Sequence, residues 1–348
     1  MKGSLRFTGI ALAAVGVLGG SLRAASRSQD ARFRSSVEIV NIAATVSDAY
    51  GRFVPGLQRG DFSIYEDDQP QAIESFTTER LPVSLGVTLD TSGSMAGPKL
   101  EAAHAALDRF LERLLDPGDE IFLYRFSDYP QLLQGWTKDR ALLAGALDHV
   151  KADGGTALYD TVADAVPLAA QGTNRKKALV VISDGNDTSS NTPLVDVRRL
   201  IRESDVLVYA IGIDNGQNPD PGGSSSSPRP AAPTPPPIPT NRRPARGGVF
   251  PGLFVQSPAA RWRAAAQGDR VDADALRQLT DDSGGRTEII RDPRDLNPAT
   301  AGIADELSKQ YDLTYRASGK KDGRWHAIRV EVRNRTYRVR ARTGYFAN

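Results

Sequence analysis

A chain of 348 residues, 40% hydrophobic and 25% charged, has room for one large core and a second, smaller one. That composition excludes a fibre, a coiled coil or a multi-span membrane protein. A formal net charge of +2, with no basic run interleaved with aromatics, gives no case for nucleic acid.

The chain opens like a leader. Lys2 and Arg6 precede a run of apolar and small residues from Gly9 to Leu18, and Ala24-Ala25 offers small residues for cleavage. This is the order of a secretory signal peptide over 1–25, whose apolar run is too short to span a bilayer comfortably. Arg23 falls at position −3 of a cut after Ala25, so the exact site stays open. Loss of Lys2, Arg6 and Arg23 would take the formal charge from +2 to −1. The mature protein is expected to be exported, periplasmic or extracellular, with no membrane span.

Residues 35–81 read as strands. Val37, Ile39, Ile42 and Val46 lead to a turn at Tyr50-Gly51, and Asp61 to Tyr65 alternates before a second turn at Asp67-Asp68. The segment is too short to form a robust core alone.

Residues 82–311 alternate strand and helix. Val83, Leu85, Val87 and Leu89 form a buried strand running into Asp90. Leu100, Ala103, Leu107, Phe110, Leu111 and Leu114 then repeat at helical spacing. Strands are predicted at Ile121 to Phe126, at an edge closed by Trp136, at Ala178 to Ile182 and at Val206 to Ile213. Helices are predicted over Leu142 to Val150, after Thr156 with an irregularity at Pro167, and over Val195 to Ile201. Continuous apolar strands separated by helices imply a mainly parallel sheet covered on both faces. Residues 214–260 interrupt it with Ser224 to Ser227, Pro235 to Pro237 and more than half of the 22 prolines, a composition expected to be disordered. Asp274 to Leu279 (helix), Arg286 to Ile290 (strand) and Ala301 to Tyr311 (helix) resume the pattern.

Residues 312–348 return to strands: Leu313 to Tyr315, Trp325 to Val332 and Tyr337 to Arg340, with turns at Asp322-Gly323 and Asn334. The expected architecture is therefore an α/β, Rossmann-like, doubly wound sheet over 82–311. It is inserted in a small β-sandwich made by 35–81 packing with 312–348.

Three short segments carry the chemistry. Asp90-Thr91-Ser92-Gly93-Ser94 sets a carboxylate and two hydroxyls at alternate positions in a tight turn after a buried strand. Hard oxygen donors suit Mg²⁺, Mn²⁺ or Ca²⁺, and the carboxyl end of a strand is where open α/β sheets hold ligands. Gly154-Gly155-Thr156 brings a hydroxyl ahead of a helix, and Ser183-Asp184-Gly185 ends a buried strand with a second carboxylate. Read singly, each is also an ordinary turn or helix cap. Together they fall at one end of one sheet. The chain has no cysteine, which removes disulfides, thiolate chemistry and Cys-type zinc sites, and His104, His149 and His326 lack ligand spacing.

Asp90-x-Ser92-x-Ser94, Thr156 and Asp184 resemble the metal-ion-dependent adhesion site of von Willebrand factor type A (VWFA) and integrin I-type domains. The resemblance covers roughly residues 82–311. It implies that the two serines and the threonine coordinate Mg²⁺ directly, that the aspartates act mostly through water, and that an Asp or Glu carboxylate of a protein partner fills the open position. Mn²⁺ and Ca²⁺ are the alternatives. The flanks, Phe53 to Asp67 and Asp322 to Tyr345, resemble those of exported bacterial VWFA-related proteins of Acidobacteria type.

The function implied is metal-dependent protein binding or adhesion, not catalysis. Two other classes stay open: a structural exported module whose site is unused, and a metal-dependent hydrolase. Against the hydrolase stand Ser92 where a second aspartate would follow Asp90, the absence of a G-x-S-x-G elbow, and no evident base beside the metal. Phe126 to Pro130 and Asp187 to Ser189 are candidate loops for the partner-facing rim.

Overall fold

A computed structural model describes residues 39–114, 116–184, 187–214, 271–317 and 322–347. The leader at 1–25 and all but the first residue of the 214–260 insertion lie outside the described residues.

The N-terminal flank supplies β1 (Ile39–Ser47), β2 (Phe62–Glu66), β3 (Gln69–Gln71) and β4 (Ile73–Thr77). There follow β5 (Val83–Asp90), α1 (Pro98–Arg109), β6 (Glu120–Phe126), β7 (Pro130–Thr137), α2 (Arg140–Leu147) and α3 (Leu158–Ala170). Next come β8 (Lys176–Ser183), α4 (Leu194–Glu203), β9 (Leu207–Ile213), α5 (Ala273–Thr280), β10 (Thr287–Ile290) and α6 (Leu296–Lys309). The chain ends with β11 (Tyr311–Arg316), β12 (Trp325–Val332), β13 (Arg338–Arg340) and β14 (Gly344–Phe346).

Six of these strands form one sheet, ordered β10-β9-β8-β5-β6-β7, parallel except for β7, which runs antiparallel to β6. All eight positions of β5 and all seven of β9 are buried, because helices cover both faces. Leu100 and Leu107 of α1, Leu143 of α2 and Ile303 of α6 pack with Leu85 and Leu89 on one face. Val162 of α3, Val197 of α4 and Leu276 of α5 pack with Phe122 and Leu179 on the other. The first strand of this sheet, β5, lies beside the fourth, β8, so the winding reverses between them. The crevice at their carboxyl ends is the place where open α/β sheets bind ligands.

The flanks pair with each other in both remaining sheets, ordered β13-β1-β11-β4 and β14-β12-β2-β3. Ile42 of β1 stands opposite Leu313 of β11, and Ile64 of β2 opposite Val330 of β12. Ile42, Ile64, Tyr311, Leu313 and Ile328 share one buried core, so the two sheets face each other as a sandwich. A buried ion pair joins this sandwich to the α/β sheet: Lys176 Nζ of β8 lies 3.2 Å from Asp312 Oδ2 of β11 and donates to the Leu307 carbonyl at 3.0 Å. Burial lowers the Lys176 pKa and raises that of Asp312.

Some elements differ from expectation. The final helix starts at Leu296 rather than Ala301 and stops at Lys309, since Tyr311 is already paired with Ala44 in the sandwich. The helix expected to run on through Leu114 loosens after Arg109 into a wider π turn over Phe110–Leu114. Three short strands, β3, β4 and β14, carry too little periodicity to stand out in the sequence. The helix after Thr156 runs through Pro167 without ending.

Candidate metal site

The parallel register decides what meets at the crevice. Leu89 stands opposite Ile182, which brings Asp90 level with Ser183 and puts Asp184 one residue beyond the strand end. Asp90 and Ser183 are fully buried, and Ser92, Thr156 and Asp184 nearly so, while Ser94 is exposed.

Both Asp90 carboxylate oxygens are engaged. The Ser92 backbone N–H donates to Oδ1 at 2.8 Å, and the Ser183 hydroxyl donates to Oδ2. This Asp-to-backbone bond folds the 90–94 turn back on itself. It leaves the Ser92 and Ser94 hydroxyl oxygens 3.1 Å apart, with Ser94 donating to Asp184 Oδ1 at 2.7 Å. Burial pushes the Asp90 carboxyl up to about 6; hydrogen bonds from Ser183 and Ser92 pull it down, and the Asp184 charge adds to the rise.

Thr156 joins the other four through loop contacts. The Gly93 N–H donates to the Gly154 carbonyl at 3.0 Å, and the Asp153 N–H to the Thr91 carbonyl at 2.8 Å. Gly154 adopts φ +75°, and a side chain there would collide with Asp128, whose Oδ1 accepts from the Gly155 N–H at 2.7 Å. The Thr156 N–H donates to Thr188 Oγ1 at 2.9 Å, and its carbonyl accepts from the N–H groups of Thr188 and Ser189. Asp128 and the 187–189 loop thus brace the threonine.

The donor set is two carboxylates and three hydroxyls, the oxygen chemistry of hard cations. Among the described residues there is no group of three or more histidine, aspartate or glutamate side chains able to hold a metal ion. The histidines are engaged elsewhere or sit on other elements: His149 Nδ1 lies 3.2 Å from the Gly145 carbonyl, and His326 is flanked by Asp67 and Asp322.

Lys99 was not among the expected site residues. Its ammonium contacts Asp184 Oδ2 and donates to the Ser94 carbonyl at 2.8 Å. A lysine at the start of a helix reads as solvent-facing in sequence; only the fold shows a cation standing on the site. Ser183 was also missed as a partner, because it closes an apolar strand and its register against Asp90 is not written in the sequence.

Residues 87–186 match the sequence profile of the von Willebrand factor type A domain. An uncharacterised protein of Synechocystis sp. is 27% identical over 145 residues, 40% of this chain and 34% of that protein, so the match spans about a third of the relative. A von Willebrand factor type A structure from Catenulispora acidiphila is 15% identical, with 91% of this chain and 74% of that one covered, at a TM-score of 0.46. BatB of Bacteroides thetaiotaomicron is 18% identical over 65% of this chain and 98% of its own, at 0.44. Proximal thread matrix protein 1 of the mussel byssus, in a structure with a zinc-occupied MIDAS motif, is 14% identical over 71% of this chain and 50% of its own, at 0.45. Residues 87–186, which match that profile, take in most of β5 and run on through β8, and all five candidate site residues fall within them.

Proposed function

We propose that this domain binds a divalent cation, Mg²⁺ ahead of Mn²⁺ or Ca²⁺, through Ser92, Ser94 and Thr156, with Asp90 and Asp184 behind them. The bound cation then grips an Asp or Glu carboxylate of a protein partner. The observation that carries this reading is the convergence of five hard-oxygen side chains from three loops at the β5/β8 switch point. Neutral hydroxyls leave a cation electrophilic, so it favours an anionic ligand at its open position. One such bond gives modest affinity, and the rest must come from the surrounding face. Asp128, the 187–189 loop and Tyr129, 61% exposed, supply a rim for it.

The reading is of a binding module rather than an enzyme, in keeping with the von Willebrand factor type A profile matched by residues 87–186. Export follows from the leader-like order of residues 1–25. No described helix is long and apolar enough to cross a membrane. Lys99 on Asp184 favours a second reading, a structural module that keeps its site closed without metal.

Calorimetric titration of Mg²⁺ and Mn²⁺ into the chelator-treated protein, with acetate present, tests the first reading against Asp90→Ala/Ser92→Ala. Heat of binding lost in the variant supports it. No binding by either protein, both folded, sinks it and leaves the structural module.

A further inference from the structure

We propose that Lys99 is a displaceable internal cation: its ammonium neutralises Asp184 in the metal-free protein and must swing away before a divalent ion occupies the site, so it sets metal affinity. The inference rests on the metal-binding reading above and adds the residue that opposes it.

The Asp184 side chain is fully shielded from solvent, and a charge in such a place needs a partner. Lys99 supplies one, with its side chain only 15% exposed. Its position makes the pairing specific. Lys99 is the second residue of α1, where the helix dipole disfavours a positive charge and where Glu101 is the residue suited to the turn. A lysine there is held by its local acceptors, Asp184 Oδ2 and the Ser94 carbonyl, against the field of its own helix. Both acceptors belong to residues of the candidate site.

A divalent ion held by the Ser94 hydroxyl and balanced by Asp184 would place three positive charges around one carboxylate if the ammonium stayed. Two cations competing for one shielded carboxylate cannot both be satisfied. Lysine is built to yield, since its flexible four-carbon stem lets the head move to water while the stem stays packed. The same ammonium keeps the metal-free site from carrying two uncompensated carboxylates, Asp90 and Asp184, side by side.

The test is titration of Mn²⁺ into the full chain, followed by the resonance of free Mn²⁺, for wild type, Lys99→Met and Lys99→Gln, with thermal melts in chelator and in saturating Mn²⁺. Expected are affinities at least ~10-fold tighter in both variants, equivalent to about 1.4 kcal/mol. Melting temperatures should fall in chelator and recover in Mn²⁺. Mn²⁺ binding by wild type that is unchanged or weaker in the variants overturns the role of Lys99 and leaves the metal site standing. Binding by the variants alone supports it. No binding by any of the three removes the metal site and the inference together. Variants that stay unfolded even in saturating Mn²⁺ overturn it too, because the lysine would then be a fixed structural residue.

Discussion

The Tyr209 hydroxyl donates to Glu306 Oε1 across 3.0 Å, at the boundary where the α/β sheet meets the sandwich. The same carboxylate accepts from Thr45 at 3.2 Å and Arg286 at 3.0 Å, and pairs with Arg340. Tyr209 and Arg286 belong to the α/β unit, Thr45 and Arg340 to the sandwich, and Glu306 is their joint. Burial holds the Tyr209 phenol well above its ordinary pKa, so it remains a donor. Glu306→Ala leaves the buried Tyr209 phenol without its acceptor, while Arg286 keeps Glu288 and Arg340 keeps the Gly284 carbonyl, and should cost about 1–3 kcal/mol of unfolding free energy. Urea denaturation at neutral pH measures it; a loss under about 1 kcal/mol would mean that water replaces the carboxylate.

Gly86 lies in the middle of β5, where a Cβ would run into the Phe122 ring and come within 2.7 Å of Leu179 Cδ1. Both neighbours are fully buried. Gly86→Ala should therefore overpack the core and cost about 1–3 kcal/mol, despite the usual gain from replacing glycine in a strand. A lowered melting temperature is the expected result. An unchanged one would show that the Phe122 ring can turn aside.

His326 gives the sandwich a pH dependence. Burial alone would lower its pKa, but hydrogen bonds to Asp67 (2.7 Å) and Asp322 (3.3 Å) outweigh it and raise the value above 6.5. A raised folded pKa means that the native state binds the proton more tightly. The contribution is complete below about 6.5 and fades as pH rises through the folded value. Melting temperatures taken between about pH 6 and pH 8.5 should fall on this account. Asp67→Asn, whose side chain tolerates the positive φ of 47° at that turn, should flatten the slope. A slope unchanged in that variant would assign the effect to other groups.

The parts of the fold legible in the sequence were those with strong periodicity. Val83, Leu85, Val87 and Leu89 put an apolar residue at every second position, Ala178 to Ile182 is an unbroken apolar run, and the two became the strands that flank the switch point. Gln69–Gln71 and Gly344–Phe346 are three-residue strands whose pairing is dictated by neighbours rather than by their own composition. The last helix begins at Leu296, ahead of the expected Ala301, with Pro298 in its first turn, where proline is well tolerated. In the site, the spacing of Asp90, Ser92 and Ser94 was readable because it sits in one turn. What the turn contacts was not. Lys99 and Ser183 meet the carboxylates only because α1 and β8 are brought alongside, and single-chain spacing holds no record of that.

The pairing of β1 with β11 joins the two flanks of the α/β unit, and Thr45 meets Gln310 from 265 positions away. Closing so long a stretch as an open coil carries a heavy entropic penalty, and contacts this distant form late. Once the α/β unit has folded, the chain enters it near Arg80 and leaves it near Tyr311, and these two points stand close, with Thr77 opposite Asp312. The effective separation then shrinks to a few residues for β4 against β11, since β4 leads into β5 and the last helix into β11 across Gln310 alone, and for β1 to little more than the stretch from Thr45 to Arg80. The sandwich is thus a fastener that engages only when what lies between its halves is already correctly wound, and during synthesis β1 must wait, unpaired, until β11 has emerged.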